Sequence, residues 1–252
     1  MESKKRKERL DKLLVDLAIT ETREKAKALI MAGSILVEER RIDKPGTLVP
    51  VTAAIRVLGE VNPYVSRGGL KLKGALTAFA LSVQGAAVLD VGASTGGFTD
   101  CLLAEGARLV YALDVGYGQL AWKLRSDCRV VVIERTNIRH YEGKDITEPV
   151  DLATIDASFI SLRLVIPAAL RFIRPGGRIL ALIKPQFEAG RQEIEKGGVV
   201  KNPDVHRRVV EDIKRFVEDL GLEVMATCES VLKGPSGNRE YFLLAATPGT
   251  NP

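Results

Sequence analysis

The segment at residues 88–100, VLDVGASTGGFTD, decides how the chain is interpreted, because it is compatible with two kinds of site. Residues 92–96, GASTG, fit the G-x-S-x-G pattern of a hydrolase turn in which Ser94 is the nucleophile. The same glycines also suit a loop that lets backbone amides cradle a cofactor at the start of a helix. The rest of the chain decides between these interpretations.

A hydrolase turn requires a histidine late in the chain and an acid between that histidine and the serine. The chain has two histidines, His140 and His206, and His206 lies at the start of a regular helical pattern. The strand before Ser94 would also be the first of its sheet, so no earlier strand could supply an oxyanion loop. These features disfavour Ser94 as a nucleophile.

The cofactor interpretation requires an acid at the end of the next strand, where it can hold ribose hydroxyls, and Asp114 in YALDVG has this position. The loop reads G-x-x-x-G-G rather than G-x-G-x-x-G, it lacks a P-loop G-K-[S/T] ending, and Asp90 precedes its first glycine by two residues. Nearby carboxylates suit a cationic cofactor such as S-adenosylmethionine (SAM) better than a pyrophosphate. We therefore interpret Ser94 as part of a cofactor loop.

The composition of the chain indicates a folded protein of the reducing cytosol. It has 252 residues, 46% of them hydrophobic, and no apolar run approaches the roughly 20 residues of a membrane-spanning helix. No apolar signal core follows the charged opening MESKKRKERLDK. The three cysteines are widely spaced and include no C-x-x-C pair, so we expect neither a disulfide framework nor a metal site.

From about residue 70 onward, apolar strand-like runs alternate with helical segments. The runs are AAVLDVG, RLVYALDVG, CRVVVIE, VDLATIDA, GRILALIKP, LEVMATCES and EYFLLAAT, and a helix is predicted over 204–220. Continuous apolar strands separated by helices indicate a mostly parallel sheet that is covered on both faces. The predicted fold class is therefore α/β, with a Rossmann-like sheet over residues 70–252.

The N-terminal part has a different pattern. Leucines at helical spacing predict helices over 7–18 and 22–32, and the following β-branched residues alternate with charges as in short strands. The glycines and Pro63 of GEVNPYVSRGG indicate a linker. The predicted organisation is a small α+β domain at 1–60, a linker at 61–69 and the large domain at 70–252.

Basic residues are concentrated in this small domain. They are Arg6, Lys7, Arg9, Lys12, Arg23, Lys25, Lys27, Arg40 and Arg41. Such a cluster can neutralise nucleic-acid phosphates, although a solvated charged surface is the alternative. Residues 9–49, RLDKLLVDLAITETREKAKALIMAGSILVEERRIDKPGTLV, resemble the S4 RNA-binding domain. That resemblance implies an RNA partner. Outside this domain, Arg67 lies near Lys71 in the sequence and could reach an RNA phosphate.

Four charged residues mark the ends of elements in the large domain. Lys71 is expected just ahead of the first strand, Asp156 and Lys184 at the ends of the fourth and fifth strands, and Glu240 at the start of the last. Because parallel sheets bind ligands beyond the carboxyl ends of their strands, Asp156 and Lys184 should face the same crevice as the glycine loop. An ion-pair network that closes the sheet edge is the alternative.

This Lys-Asp-Lys-Glu order, with VLDVGASTGGFTD between its first two members, resembles the FtsJ-like RNA ribose 2′-O-methyltransferases. With the S4-like start, the whole chain resembles the TlyA group, whose members are named both hemolysins and rRNA (cytidine-2′-O)-methyltransferases. The resemblance implies that Lys71, Asp156, Lys184 and Glu240 form a catalytic tetrad. It implies that SAM is held by Asp90, Gly92, Ser94, Thr95, Gly96, Gly97, Phe98, Thr99, Asp114 and the ERTNIR segment. Asn137 replaces the aspartate that many of these enzymes have near adenine, and Phe159 is a further candidate contact.

A ribose hydroxyl is a poor nucleophile at neutral pH, so the enzyme must align it and remove its proton, and Lys184 is the candidate base. Asp156 would orient Lys184, while Lys71 and Glu240 would position the ribose. The expected substrate is ribosomal RNA, free or within ribosomal subunits, in the cytoplasm and without stable membrane association. The alternatives are a membrane-active hemolysin and a non-catalytic RNA-binding protein. No feature of the sequence indicates an oligomeric state.

Overall fold

The computed structural model describes residues 6–20, 22–31, 33–58, 62–234 and 236–249. The chain divides into two compact units, residues 1–61 and 62–252, here called the N-terminal and C-terminal units. Residues 1–5 of the predicted small domain lie outside the described residues, as do residues 59–61 at its junction with the predicted linker. Among the described residues, no helix is long and apolar enough to cross a membrane.

The described residues of the N-terminal unit form two helices and five three-residue strands. In chain order they are β1 (Lys7–Arg9), α1 (Leu10–Asp16), α2 (Arg23–Met31), β2 (Ile35–Val37), β3 (Arg40–Ile42), β4 (Leu48–Pro50) and β5 (Ile55–Val57). The strands form an antiparallel sheet in the order β3-β2-β5 and a separate antiparallel pair, β1 with β4. Leu10, Leu14, Ile30 and Ile35 are fully buried at its core.

The helix predicted over 7–18 is wrong at its first three residues. Lys7–Arg9 instead form β1, because their backbone pairs with Leu48–Pro50, residues distant in sequence. The helical leucine spacing therefore begins to apply only at Leu10, where α1 starts.

The C-terminal unit contains seven strands and six helices within its described residues. In chain order they are α3 (Arg67–Ala78), β6 (Ala87–Val91), α4 (Gly97–Ala104), β7 (Leu109–Leu113), α5 (Trp122–Arg125), β8 (Val130–Ile133), β9 (Val150–Ile155), α6 (Leu162–Leu170), β10 (Ile173–Ile183), α7 (Pro185–Glu188), α8 (Pro203–Asp219), β11 (Glu223–Glu229) and β12 (Tyr241–Ala246). Single 3-10 turns occur at Ile138–His140 and Arg191–Glu193.

The seven strands form one sheet in the order β11-β12-β10-β9-β6-β7-β8. The five strands β10, β9, β6, β7 and β8 are parallel to one another, whereas β12 runs antiparallel to both β10 and β11. Along β7, Tyr111 and Leu113 belong to one apolar core and Val110 and Ala112 to the other. Apolar residues thus cover both faces, which confirms the predicted mostly parallel sheet.

The strand order places a crevice between the carboxyl ends of β6 and β9. After β6 the chain continues to β7, and after β9 it continues to β10, which lies in the opposite direction along the sheet. The loops after β6 and β9 therefore diverge. The Asp156 amide donates to the carbonyl of Val91 at 2.9 Å, and a Cβ on Gly92 would lie 2.7 Å from the Asp156 carbonyl oxygen. Gly92 also has a φ of 88°, so a side chain there is excluded on both counts.

Lys71 differs most from its predicted place. It lies within α3, and this helix begins at Arg67, so the last three residues of the predicted linker are helical. Ser66 caps the helix, because its hydroxyl accepts a hydrogen bond from the Gly68 amide. Lys71 therefore reaches the sheet edge from a helix face rather than from the chain entering the first strand.

Candidate active site

Two cavities open beside the crevice and share Gly92, Ser94 and Asp156 in their walls. One, of about 430 Å³, contains Asp114 and is here called the Asp114 cavity. The other, of about 410 Å³, contains Lys71 and is here called the Lys71 cavity. Each volume lies within the range of about 300–1,000 Å³ typical of small-molecule sites. The crevice thus has two adjacent spaces of small-molecule size.

The Asp114 cavity combines acidic and apolar walls. Its lining includes Leu113, Asp114, Val115, Asn137, Ile138, Asp156, Phe159, Ile160 and Val165. Asp114 also fixes the glycine loop, since one carboxylate oxygen accepts from the Ser94 amide at 2.7 Å and the other from the Gly116 amide at 2.6 Å. Each carboxylate oxygen can accept more than one hydrogen bond, so Asp114 can still bind a ligand hydroxyl.

The Lys71 cavity is more basic. It is lined by the start of α3, by the glycine loop and by the turn before β12, and its members include Ser66, Arg67, Gly68, Lys71, Thr95, Gly97, Phe98 and Lys233. Arg67 and Lys233 are exposed, and among the described residues neither forms an ion pair, although Lys233 interacts electrostatically with Glu229. Cations at a cavity mouth attract phosphate groups.

Two of the four predicted tetrad residues form a buried ion pair. Lys71 Nζ lies 2.6 Å from Glu240 Oε2, and the two side chains are 10% and 1% exposed. Burying a pair of charges usually stabilises a protein no more than apolar residues of the same size would. The pair is therefore better explained by a role at the cavity than by a contribution to stability.

The other two members form a second pair. Lys184 Nζ lies 2.6 Å from Asp156 Oδ1 and donates to Ser158 Oγ at 2.8 Å. The ring centroid of Phe187 lies 6.0 Å from the same nitrogen. Asp156 belongs to the wall between the two cavities, so the amino group of Lys184 is held beside that wall.

The segments that follow β9 and β10 are joined by further contacts. Glu188 accepts from the Ser161 hydroxyl at 2.6 Å and from the Leu162 amide at 2.7 Å, and burial raises the pKa of its carboxyl. The rings of Phe159 and Phe187 lie 5.1 Å apart. Phe159 is 91% exposed, so it does not belong to the core. These contacts fix the two segments that carry Asp156 and Lys184.

Three of the individually named cofactor residues lie outside both cavity walls, as do Glu134, Arg135 and Arg139 of the ERTNIR segment. Asp90 and Thr99 are fully buried, and Asp90 accepts hydrogen bonds from the hydroxyls of Thr99 at 2.7 Å and Thr154 at 3.1 Å. Burial raises the pKa of Asp90 to about 7, in spite of these hydrogen bonds. At Gly96, a Cβ would lie 2.2 Å from the Leu124 side chain. Asp90, Gly96 and Thr99 thus support the loop from the protein interior.

The basic residues of the N-terminal unit are partly engaged by acids. Asp11, which is fully buried, accepts hydrogen bonds from Arg9 at 3.0 Å and from Arg23 at 2.8 Å. Lys12 pairs with Glu8 at 2.9 Å. By contrast, Arg6, Lys7, Arg40 and Arg41 are exposed, and Lys27 is half-buried. The predicted RNA surface is therefore a mixture of paired cations and cations open to solvent.

Sequence reasoning missed two residues of the site, Ser158 and Lys233. Ser158 stands two residues after Asp156, and its hydroxyl reaches Lys184, which is 26 residues away in the chain. Lys233 precedes the turn that leads to Glu240. Each residue lies close in sequence to a candidate catalytic acid, Ser158 to Asp156 and Lys233 to Glu240, and this short spacing is the signal that could have indicated both.

Comparison with known proteins identifies the family. A model described as FtsJ-like methyltransferase matches residues 64–247, and a model described as S4 domain matches residues 8–55. The 16S/23S rRNA (cytidine-2′-O)-methyltransferase TlyA of Mycobacterium tuberculosis (strain CDC 1551 / Oshkosh) is 46% identical over 243 residues, which cover 96% of this chain and 91% of the relative. Hemolysin A of Brachyspira hyodysenteriae is 38% identical over 235 residues, which cover 93% and 98%.

A solved structure gives the same result. It is described as a candidate hemolysin from Streptococcus thermophilus, has 43% sequence identity and a TM-score of 0.76, and the match covers 98% of this chain and 92% of that one. Because the family model and the relatives both span most of the chain, the protein belongs to the FtsJ-like methyltransferase family, in the S4-containing TlyA group.

Proposed function

We propose that this protein transfers the methyl group of SAM to the ribose 2′-hydroxyl of a cytidine in ribosomal RNA. One observation carries the proposal: the Asp114 cavity and the Lys71 cavity share Asp156, and the candidate base Lys184 is held 2.6 Å from that residue. A methyl donor and a ribose in the two cavities would meet beside Lys184. The reaction named for the TlyA relative, rRNA cytidine-2′-O-methylation, is of this kind.

The Asp114 cavity fits SAM by its chemistry. Asp114 follows β7 at the place where an acid binds ribose hydroxyls, and Asn137 offers an amide beside the apolar side chains of Ile138 and Val165, which suit an adenine ring. Asp156 adds a negative charge for a cationic group. When bound, SAM supplies a methyl group on a positively charged sulfur. Gly92, Ser94, Asp114, Asn137 and Phe159 would hold it there.

The residues of the Lys71 cavity would hold the RNA. Lys71, fixed by Glu240, would donate hydrogen bonds to the ribose, while Arg67 and Lys233 would contact neighbouring phosphates. Exposed cations of the N-terminal unit, such as Arg40 and Arg41, would contribute phosphate contacts of their own. Such a protein would act in the cytoplasm on rRNA or on ribosomal subunits.

Lys184 would remove the proton of the 2′-hydroxyl. To do so, its ammonium group must first lose a proton, so kcat should fall on the acidic side of the pH profile. Asp156 would hold the amino group beside the shared wall. Because general-base catalysis contributes about 10²–10⁴-fold, Lys184→Ala should lower kcat by roughly a thousandfold while SAM still binds.

The test is transfer of labelled methyl from SAM to small subunits, large subunits, whole ribosomes and protein-free rRNA, with Lys184→Ala in parallel. The expected product is a ribose methyl that protects the adjacent phosphodiester from alkaline cleavage. Absence of label in every RNA would overturn the proposed substrate. Undiminished transfer by Lys184→Ala would overturn the assignment of the base alone.

A further inference from the structure

The amino group of Lys184 contacts two oxygens among the described residues: Ser158 Oγ accepts a hydrogen bond, whereas Asp156 Oδ1 is an ion-pair partner without hydrogen-bond geometry. Asp156 Oδ1 lies 2.6 Å from Nζ, and Ser158 Oγ accepts from Nζ at 2.8 Å. Ser158 also belongs to the wall of the Asp114 cavity. The hydroxyl therefore contacts the candidate base at the place where the two reactants would meet.

A directional acceptor orients a neutral amine more than a charged neighbour alone. The nitrogen has four tetrahedral directions, occupied by the bond to Cε, two N–H bonds and one lone pair. The hydrogen bond to Ser158 fixes one N–H bond, and the Asp156 carboxylate attracts the other, so the lone pair is left with the remaining direction. With the Asp156 contact alone, which lacks hydrogen-bond geometry, rotation about the Cε–Nζ bond leaves the N–H bonds and the lone pair free to exchange staggered positions.

The backbone around Ser158 is itself constrained. The next residue, Phe159, has a φ of 63°, a conformation that costs energy for an aromatic residue and that is common at functional sites. Its ring contacts Phe187, which follows Lys184 by three residues, and Glu188 bonds Ser161 and Leu162. These contacts between the segments after β9 and β10 hold the Ser158 hydroxyl close to Lys184.

We propose that Ser158 is a positioning residue for Lys184, which orients the lone pair of the base toward the ribose hydroxyl. The inference rests on the proposed function. In the reaction, the 2′-O–H bond breaks and its proton forms a third N–H bond on Lys184, while the electron pair of the oxygen bonds to the methyl carbon. The electron pair of the broken carbon–sulfur bond remains on sulfur.

The first measurement compares Ser158→Ala, Ser158→Thr and the control Ser126→Ala in methyl transfer to the rRNA substrate. Ser126 is an exposed serine of the same unit whose hydroxyl bonds the Trp122 carbonyl. Ser158→Ala should lower kcat by about tenfold, with little change in the KM for RNA or the Kd for SAM, because only orientation is lost. Ser158→Thr, which keeps the hydroxyl, should recover most of kcat, and Ser126→Ala should behave as wild type.

The pH profile separates positioning from a general structural role. Ser158→Ala removes an acceptor that binds the ammonium form of Lys184 more strongly than the neutral form, so the acidic limb of kcat should move to lower pH. A variant that is merely misfolded would lose kcat without moving this limb. Unchanged kcat and an unmoved limb in Ser158→Ala would overturn the proposal while the methyltransferase assignment stands.

A second readout does not depend on activity. Acetylation of Lys184 by trace acetic anhydride, followed by mass spectrometry across a pH series, reports the fraction of neutral amine in the protein alone. The midpoint should shift to lower pH in Ser158→Ala and stay in place in Ser126→Ala. If wild type methylates no RNA, the proposed function fails, yet an unshifted midpoint would still refute the contact on its own.

Discussion

Asp11 of the N-terminal unit and Asp90 of the C-terminal unit are both fully buried, but they are compensated in opposite ways. Asp11 accepts from the guanidinium groups of Arg9 and Arg23, which remain about half exposed at 49% and 48%. The hydrogen bond from Arg9, supported by Arg23, holds the pKa of Asp11 well below its ordinary range. Asp90 accepts hydrogen bonds from two hydroxyls and from the Thr99 backbone, all uncharged groups, and burial raises its pKa to about 7.

The difference shows where each unit uses its cations. In the N-terminal unit two arginines neutralise a buried acid, so part of the basic charge supports the fold instead of facing a ligand. In the C-terminal unit the buried lysines pair with Asp156 and Glu240 beside the cavities, and none of the described cations forms an ion pair with Asp90. The buried charges lie beside the two cavities in the C-terminal unit, whereas in the N-terminal unit they lie in the interior of the fold.

The largest effect should come from breaking the buried pair at the site. Glu240→Ala leaves the Lys71 ammonium buried without its partner, so unfolding free energy should fall by about 3–5 kcal/mol and methyl transfer should be lost. Replacing both residues, as Lys71→Met with Glu240→Leu, should restore most of the stability but no activity. Urea unfolding and the methyl-transfer assay measure the two outcomes. A double variant that regains activity would show that the pair serves only the fold.

Asp90 should make the C-terminal unit less stable as pH rises. Its folded pKa of about 7 exceeds that of an unfolded aspartate, so the folded state binds one more proton between about pH 4 and pH 7. Unfolding free energy should therefore fall by about 3 kcal/mol from pH 5 to pH 8. Asp90→Asn should flatten this dependence. Parallel pH slopes for the two proteins in urea unfolding would contradict the assignment.

Asp11 should show the opposite sign and a smaller effect. Because its folded pKa is lowered, its contribution is present above about pH 4 and is lost as pH falls further. Asp11→Asn should destabilise the N-terminal unit at pH 7 by about 1–2 kcal/mol, since the arginines are half exposed. Hydrogen exchange of the α1 amides measures this unit separately. Equal exchange rates in variant and wild type at pH 7 would be the contrary result.

The smallest effect should distinguish paired from unpaired cations in RNA binding. Arg40 has no acidic partner among the described residues, whereas Lys12 pairs with Glu8. Arg40→Ala should weaken rRNA binding severalfold and reduce the slope of log affinity against log salt by about 0.7–0.9, the value for one phosphate contact. Lys12→Ala should change that slope less. Fluorescence titrations at four salt concentrations would compare the variants. Equal salt slopes for Arg40→Ala and Lys12→Ala would contradict the distinction between paired and unpaired cations.

The sheet was predictable because its strands are continuous apolar runs, as in β6 and β7, and the carboxyl ends of such strands place Asp114, Asp156 and Lys184 at one edge. The helix that carries Lys71 was not, because glycines at its start resemble a linker. Packing explains why a glycine stands in this helix: a Cβ at Gly69 would come within 2.4 Å of the Tyr64 ring. Tertiary contact thus overrides the low helix propensity of glycine.

Side-chain pairing was less predictable than backbone structure. Arg23 donates to Asp11 from 12 residues away, and Ser158 accepts from Lys184, 26 residues away, and no local pattern encodes either separation. Which cations remain open to solvent therefore depended on the fold. The tetrad members could be named from resemblance, but their division into a Lys71–Glu240 pair and a Lys184–Asp156 pair required the structure.

The wall of Gly92, Ser94 and Asp156 belongs to both cavities, so any movement of the wall on binding would link the two occupants thermodynamically. A ligand that shifts this wall alters the affinity of the neighbouring cavity, and reciprocity requires that the second ligand alter the first by the same factor. The order in which donor and acceptor arrive then has no effect on the total binding free energy. The order of binding determines only which ligand encounters the wall in the conformation that the other ligand has stabilised.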